Sequence, residues 1–289
     1  MGAGNRLKET PPDAFVSPLK PILDYITEQR GVDFSGYRAS MLRRRIDRRM
    51  AVTGSPTTEA YLAHLRDHAP EMDDLLDALT INVSRFFRNT LTFEYLADLL
   101  LPVIVLGKTR SGNGSLRVWS AGCAQGEEPY SLAILLKELL SKEGIALDLH
   151  LFSTDISLTA LKRAREAVYT AESVAGVKYR LLRKYFAPEG SAFKLASEIR
   201  EMVTFCRHNL LDKRHSVPQE SIYGDFDIVL CRNVLIYVDA RHQETIFARL
   251  HHALAAGGYL VLGEAESPTG AYERHFARVT DCGRIYQKR

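Results

Sequence analysis

From about residue 115 onward the chain alternates between short apolar runs and longer amphipathic stretches, and this alternation constrains the fold most. "LRVWSAG" reads as a strand and "EPYSLAILLKELLSKEG" as a helix. "LDLHLFSTD" is the next strand and "SLTALKRAREAVY" the next helix. "MVTFCRHNLL" and "DFDIVLCRNV" are strands. "DARHQETIFARLHHALAAGG" reads as a helix ending at two glycines, before the strand "YLVLGEAE" and a last one in "GRIYQKR". Strands alternating with helices imply an α/β fold, with a mostly parallel sheet covered by helices on both faces. Ligands of such sheets bind beyond the carboxyl ends of the strands, where the strand order reverses. One stretch, about 170–205, breaks the rhythm. Its alternating piece "SAFKLASEI" predicts a small antiparallel β-insert over about 186–206.

The first ~80 residues show no strand pattern. "LKPILDYITEQRG" and "YRASMLRRRIDRRMAVTG" are apolar at helical spacing, and each stops at a glycine. Leu42, Ile46 and Met50 form one apolar stripe, and arginines fan over the rest of that helix. Ser55-Pro56 reads as the N-cap and first residue of the next helix, and "EMDDLLDALTINV" as another. The expected organisation is a flexible tail over 1–14 and a helical domain over 15–88. A linker helix and loop over 89–112 and an α/β domain over 113–289 follow.

Charge matters through its placement. Residues 1–80 hold 11 Lys+Arg and 12 Asp+Glu, yet 38–49 alone hold six arginines and one aspartate. A local basic patch on a chain of net charge +3 points to a specific acidic surface and away from nucleic acid. No unbroken apolar run approaches the ~18 residues of a membrane span, and "MGAGNRLKETPPDAF" has no signal-peptide core. The four cysteines, Cys123, Cys206, Cys231 and Cys282, lack metal-ligand spacing. They read as reduced thiols of a cytoplasmic protein without a structural zinc.

The first strand–loop–helix, "VWSAGCAQGEEPY", has the layout of a nucleotide-binding turn with the wrong chemistry for phosphate. It lacks both G-x-G-x-x-G and G-K-[ST]. Glu127 and Glu128 would repel a pyrophosphate in a partly dry site. A cationic cofactor fits better, and S-adenosylmethionine carries both a sulfonium and an ammonium. Asp155, ending "LFSTD", suits the two hydroxyls of a ribose; it equally suits an N-cap. First-turn dipole stabilisation is the alternative for both glutamates, and the stronger reading for Glu128.

Several segments together resemble one family. "TINVSRFFRN", "SAGCAQGEEPYSLAI", "FSTDIS", "HNLL" and "FDIVLCRNVLIY" follow in the order and spacing of the CheR-type chemotaxis-receptor glutamate O-methyltransferases. The resemblance spans about 15–287. It implies a small all-α domain before a Rossmann-like, class I S-adenosylmethionine-dependent methyltransferase domain with a β-subdomain inserted. Carried over by motif, Asn82, Ser84 and Arg88 bind the cofactor, with Glu127, Asp155, Asn209, Leu210, Asn233, Val234 and Arg232. Arg88, gripping the cofactor carboxylate, and Tyr237, near the transferred methyl, are the candidate catalytic residues. The product is S-adenosylhomocysteine, and the implied partners are the cytoplasmic domains of methyl-accepting chemotaxis receptors. The enzyme is expected to be a monomer without membrane insertion or nucleic-acid binding.

Three departures are visible. Ser157 replaces a second acid of the family's T-D-I-D, and Asn89 replaces the acid after Arg88. "YFAPEGSAFKL" is shorter than the loop of members that dock on a receptor's C-terminal pentapeptide, so the chain resembles those that need no tether. The substrate carboxylate, with a pKa near ~4.3, is already a nucleophile at neutral pH, so no general base is expected. Receptor methylation helices are rich in Glu and Gln. Arg43, Arg44, Arg45, Arg48 and Arg49 are the expected contacts; a solvated basic face is the bland alternative. Two other functions compete: a nucleic-acid methyltransferase, whose proline-bearing motif "CRNVLIY" lacks, and a catalytically silent scaffold.

Overall fold

A computed structural model describes residues 18–80, 84–112, 114–212, 215–221 and 224–289. The expected tail over 1–14 and Asn82 lie outside the described residues. The chain divides into two compact units, with the boundary between Leu79 and Thr80.

The first unit is helical: Lys20–Arg30, Ala39–Thr53, Thr58–Asp67 and Ala69–Leu79. Gly31 and Gly54 end the first two helices at φ 64° and 70°, a conformation glycine adopts without Cβ strain. A 15-residue helix with five arginines is marginal alone. Burial of Met41, Leu42 and Ile46 against its neighbours holds it, at roughly 1.5–3 kcal/mol per fully buried side chain. The third helix starts two residues later than the Ser55-Pro56 signal indicates. Thr57 is extended, and its hydroxyl accepts Ala60 N at 3.2 Å, so Thr57 is the N-cap.

The second unit carries a seven-stranded sheet. Its strands are β1 (Ser115–Ala121), β2 (Asp148–Asp155), β6 (Val203–Arg207), β7 (Phe226–Cys231), β8 (Leu254–Leu262), β9 (Phe276–Arg278) and β10 (Arg284–Lys288). The order is β6-β2-β1-β7-β8-β10-β9. The first five run parallel, and β10 and β9 pair antiparallel at the edge. β7 is buried throughout. Ile228 and Leu230 join the core on one face, Val229 and Cys231 the core on the other. The helix before β8, Ala240–Ala253, ends short of the two glycines, which lie inside β8. There the β7–β8 register shifts, and Gly257 has φ 72°.

The inserted sheet has three antiparallel strands, with β3 (Val168–Thr170) at one edge, β5 (Ala192–Leu195) in the middle and β4 (Phe186–Glu189) at the other edge. β4 (Phe186–Glu189) and β5 (Ala192–Leu195) form the hairpin, turning at Gly190 with φ 63°. The third strand, β3 (Val168–Thr170), lies before the expected 186–206 interval, and the interval's last residues, from Val203, belong to the main sheet as β6. Val168–Thr170 is too short to show a period-2 pattern.

The expected linker helix spans Thr90–Arg110. By length and composition alone it is apolar enough to cross a membrane, although Glu94 and Asp98 break its apolar run. Phe93, Leu96, Leu100, Leu101 and Val105 are buried in the core of this unit. Its middle turn, Leu96–Leu100, is π-helical just before Pro102, which has no N–H for the regular ladder.

Candidate active site

Strand order reverses at β1, which lies between β2 and β7. The crevice outside the carboxyl ends of β1 and β7 is therefore the expected ligand site. After β1, Gly122 N and Cys123 N both donate to Thr154 O at the end of β2, at 2.8 and 2.9 Å. Ala124 N donates to Asp155 Oδ2 at 2.9 Å. A Cβ on Gly122, at φ 78°, would lie 2.4 Å from Val234 Cγ2. Glycine at 122 thus lets the loop after β1 close against the loop after β7.

The two adjacent glutamates face different surroundings. Glu127 is 2% exposed, and its Oε2 has no hydrogen-bond partner among the described residues. Burial pushes its carboxyl up to about 7, against the pull of a backbone amide and of the Ser173 hydroxyl. A buried carboxylate oxygen without a donor is costly, and a cationic ligand group could supply one. Glu128 accepts Ser120 Oγ at 2.9 Å and Arg232 Nη1 at 3.0 Å. Burial raises its pKa while Arg232 and Ser120 pull it back. Glu128 thus lies in the first turn of its helix, where the dipole reading put it, and is also the ion-pair partner of Arg232.

Asp155 is buried and serves both neighbouring loops, accepting Ala124 N and, through Oδ1 at 2.9 Å, Ser157 N. A carboxylate has about four acceptor sites, so capacity remains for ribose hydroxyls. Burial raises its pKa, opposed by the backbone amides of Ser157, Ala124 and Ile156. The N-cap of the following helix is Ser157, whose hydroxyl accepts Ala160 N. The serine in place of the family's second acid thus starts that helix.

Ser84, Arg88, Gly122, Cys123, Ala124, Glu128, Arg232, Asn233 and Tyr237 line one cleft. Arg232 belongs to its wall in a different way from that expected of a cofactor ligand. Its side chain is 2% exposed, and its guanidinium donates to Glu128 Oε2, Arg88 O at 2.8 Å and Asn89 Oδ1 at 2.7 Å. It ties the segment after Ser84 to the loop after β7. Asn89, at φ 64°, keeps an acceptor for Arg232 in a left-handed backbone that asparagine tolerates. Val234 contributes the close contact with Gly122.

Asn209 and Leu210 follow β6. Asn209 Oδ1 accepts Leu211 N at 2.9 Å, a local turn, and Leu210 O accepts from Arg249. Leu210 packs against the core on the Trp119 face. His208 beside them meets the Trp119 ring edge-on, and burial holds its pKa down at about 4.

Several further residues support the site. Tyr169 of the small sheet donates to Gln125 O at 2.8 Å, bracing the loop before Glu127. Ser131 Oγ accepts Phe87 N at 2.9 Å and donates to Glu127 O at 2.6 Å. Glu266, 4% exposed, accepts backbone amides from the loop after β7. Only the small-residue spacing "LGEAE" marks it in the sequence.

Of the five arginines expected to meet substrate, Arg43, Arg45 and Arg49 are engaged within the helical unit. Arg49 forks onto the buried Glu71, with Nε–Oε1 at 2.9 Å, and reaches Asp74 at 2.9 Å. Tyr61 donates to the same Glu71 at 2.6 Å. Arg45 Nη1 donates to Ala78 O at 2.6 Å. Arg43 pairs with Asp47 one turn on, in solvent. Arg44 and Arg48 are exposed. Helical geometry separates them: positions 45 and 49 are one turn apart on the inner flank, and 44 and 48 on the outer.

Two family models match the chain. "CheR methyltransferase, all-alpha domain" covers residues 18–80 and "CheR methyltransferase, SAM binding domain" covers 82–281. The chain is 32% identical over 255 residues to a chemotaxis protein methyltransferase of Escherichia coli, covering 86% of this chain and 84% of that one. It is 36% identical over 220 residues to the chemotaxis protein methyltransferase Cher2 of Pseudomonas putida, covering 74% and 76%. An uncharacterized 104.1 kDa protein of Rhodobacter capsulatus is 33% identical over 250 residues, and there the chain spans 25% of the relative's length.

Proposed function

The chain belongs to the CheR methyltransferase family, a family of S-adenosylmethionine-dependent chemotaxis protein methyltransferases, and from this we propose that it methylates glutamate side chains on the cytoplasmic helices of chemoreceptors. One observation carries the reading. Ser84, Arg88, Asn233 and Tyr237 converge around the Gly122–Ala124 turn, beside a buried Glu127 whose Oε2 lacks a partner. That set suits a cofactor with an amino-acid tail. Glu127 would take the ammonium, Arg88 the carboxylate by a two-bond grip, and Asp155 the ribose hydroxyls. The turns at Asn209 and Leu210 would flank the adenine. Asn233 and Val234 would close the site, with Asn82 and Ser84 at its rim. Arg232 would act through Glu128 and the Arg88 carbonyl.

Bound S-adenosylmethionine supplies an electrophilic methyl on a sulfonium. The residues then have to orient an already ionised glutamate and exclude water. Tyr237 would orient the carboxylate and occlude solvent without transferring a proton. The exposed Arg44 and Arg48, with Arg43, would meet the acidic receptor helix. The short Gly190 hairpin favours action without a pentapeptide tether; the family points to a cytoplasmic enzyme, which we take to act as a monomer. The test is incubation with tritiated S-adenosylmethionine and receptor cytoplasmic domains lacking their C-terminal pentapeptide. Base-labile label on glutamate is expected. Cofactor binding with no label on any receptor would favour a silent scaffold.

A further inference from the structure

We propose that Glu266 is a positioning residue for the methyl-transfer site: its buried carboxylate holds the turn that places Asn233 and Tyr237. The proposal rests on the functional reading above. Four backbone amides converge on this one side chain. Oε2 accepts Asn233 N at 2.8 Å and Gly263 N at 2.7 Å. Oε1 accepts Leu235 N at 2.8 Å and Ile236 N at 3.3 Å. That matches the acceptor capacity of an ionised carboxylate, and amide donors to a carboxylate are among the stronger hydrogen bonds.

The turn needs such an anchor. Asn233 has φ 59°, in the left-handed region that non-glycine residues enter at a cost. Leu235–Tyr237 then form one 3-10 turn, whose first N–H groups have no partner within the turn. Glu266 supplies it. Glycines at 122 and 263 close the remaining sides. A Cβ on Gly263 would sit 2.7 Å from Glu266 Oε2 and 2.8 Å from both Asn233 nitrogens. The carboxylate, β8 and the loop after β1 thus enclose residues 233–237, and Asn233 and Tyr237 line the cleft from that turn. Glu266 is absent from the cleft's lining and acts through the backbone.

The experiment compares the full-length wild type, Glu266→Gln and Glu266→Asp. Affinity for S-adenosylhomocysteine is measured by calorimetry, and kcat and the receptor KM by turnover, at a temperature where circular dichroism shows each chain folded. In Glu266→Gln an NH2 faces two of the four amides, so the turn is released. The expected result is at least a tenfold loss in cofactor-product affinity or kcat, with receptor KM within twofold of wild type. Glu266→Asp should recover part of the loss. A folded Glu266→Gln with affinity and kcat within twofold of wild type overturns the proposal. If Glu266→Gln does not fold, the same criterion applied to Glu266→Asp decides. If neither folds, the proposal is overturned, because the carboxylate then holds the fold and not the turn. A wild type that fails to bind S-adenosylhomocysteine overturns the functional reading, and this proposal with it; wild-type binding with unaffected variants overturns this proposal alone.

Discussion

Glu127 and Glu128 are neighbours in sequence and opposites in role. Glu127 keeps a buried oxygen without a partner, whereas both Glu128 oxygens are bonded, to Ser120 and Arg232. Substitution should separate them. Glu127→Gln should weaken S-adenosylmethionine binding roughly 10- to 100-fold, the worth of one hydrogen bond to a charged group, with little loss of stability. Glu128→Ala should instead cost about 3 kcal/mol of folding stability, because it leaves the Arg232 guanidinium buried without its counter-charge. Calorimetric titration and denaturant unfolding of both variants check this; equal effects in both assays would refute the division. The sequence shows both carboxylates at the start of a helix. It does not show that the second meets Arg232 while one oxygen of the first meets no donor among the described residues, because Arg232 lies 104 residues away.

At the scale of elements, the arginine-rich helix Ala39–Thr53 divides into two flanks. Arg44→Glu with Arg48→Glu should raise the receptor KM several-fold and leave cofactor affinity unchanged; equal loss of both would remove the helix from receptor binding. Arg49→Ala should lower stability by about 3 kcal/mol, since Glu71 stays buried beside Tyr61 with its main cation gone. Thermal unfolding measures that. The loop after β1 makes a second prediction. Gly122→Ala combines a strained φ of 78° with a Cβ 2.4 Å from Val234 Cγ2, so cofactor affinity should fall at least tenfold. Adding Val234→Ala removes the clashing methyl and should restore part of it. No recovery in the double variant would assign the loss to backbone strain alone. The strand and helix periods of these elements were legible. The β3 strand, the π-helical turn before Pro102 and the Thr57 cap were not, because each is decided by a few residues' local bonding, with no repeat to read.

At the scale of the whole molecule, the folded chain carries buried titratable groups whose pH effects oppose. Glu127 moves from 4.5 to about 7 on folding, so between those values the folded chain keeps a proton that the unfolded chain has lost. Stability from this group falls as pH rises. His208 moves from 6.5 to about 4, so its contribution is complete above 6.5 and is lost as pH falls toward 4. Each slope is at most about 1.4 kcal/mol per pH unit. Relative to wild type, the ligand-free Glu127→Gln protein should therefore gain stability as pH rises from about 5 to 7. Urea unfolding at pH 5, 6 and 7 checks it, and parallel curves for the two proteins would contradict it. The sequence by itself determined the α/β class, the all-helical start, the acidic character of the loop after β1 and the family, because periodicity and spaced motifs are local properties of the chain. Only the tertiary structure decided which charged residues bind each other. Arg232, Arg49 and Glu128 look like site or surface residues in sequence. Each is held by a counter-charge because burial demands one, and the partner comes from wherever the fold brings one within hydrogen-bond distance. Glu127 keeps a buried Oε2 without a partner because, among the described residues, the fold brings it no donor.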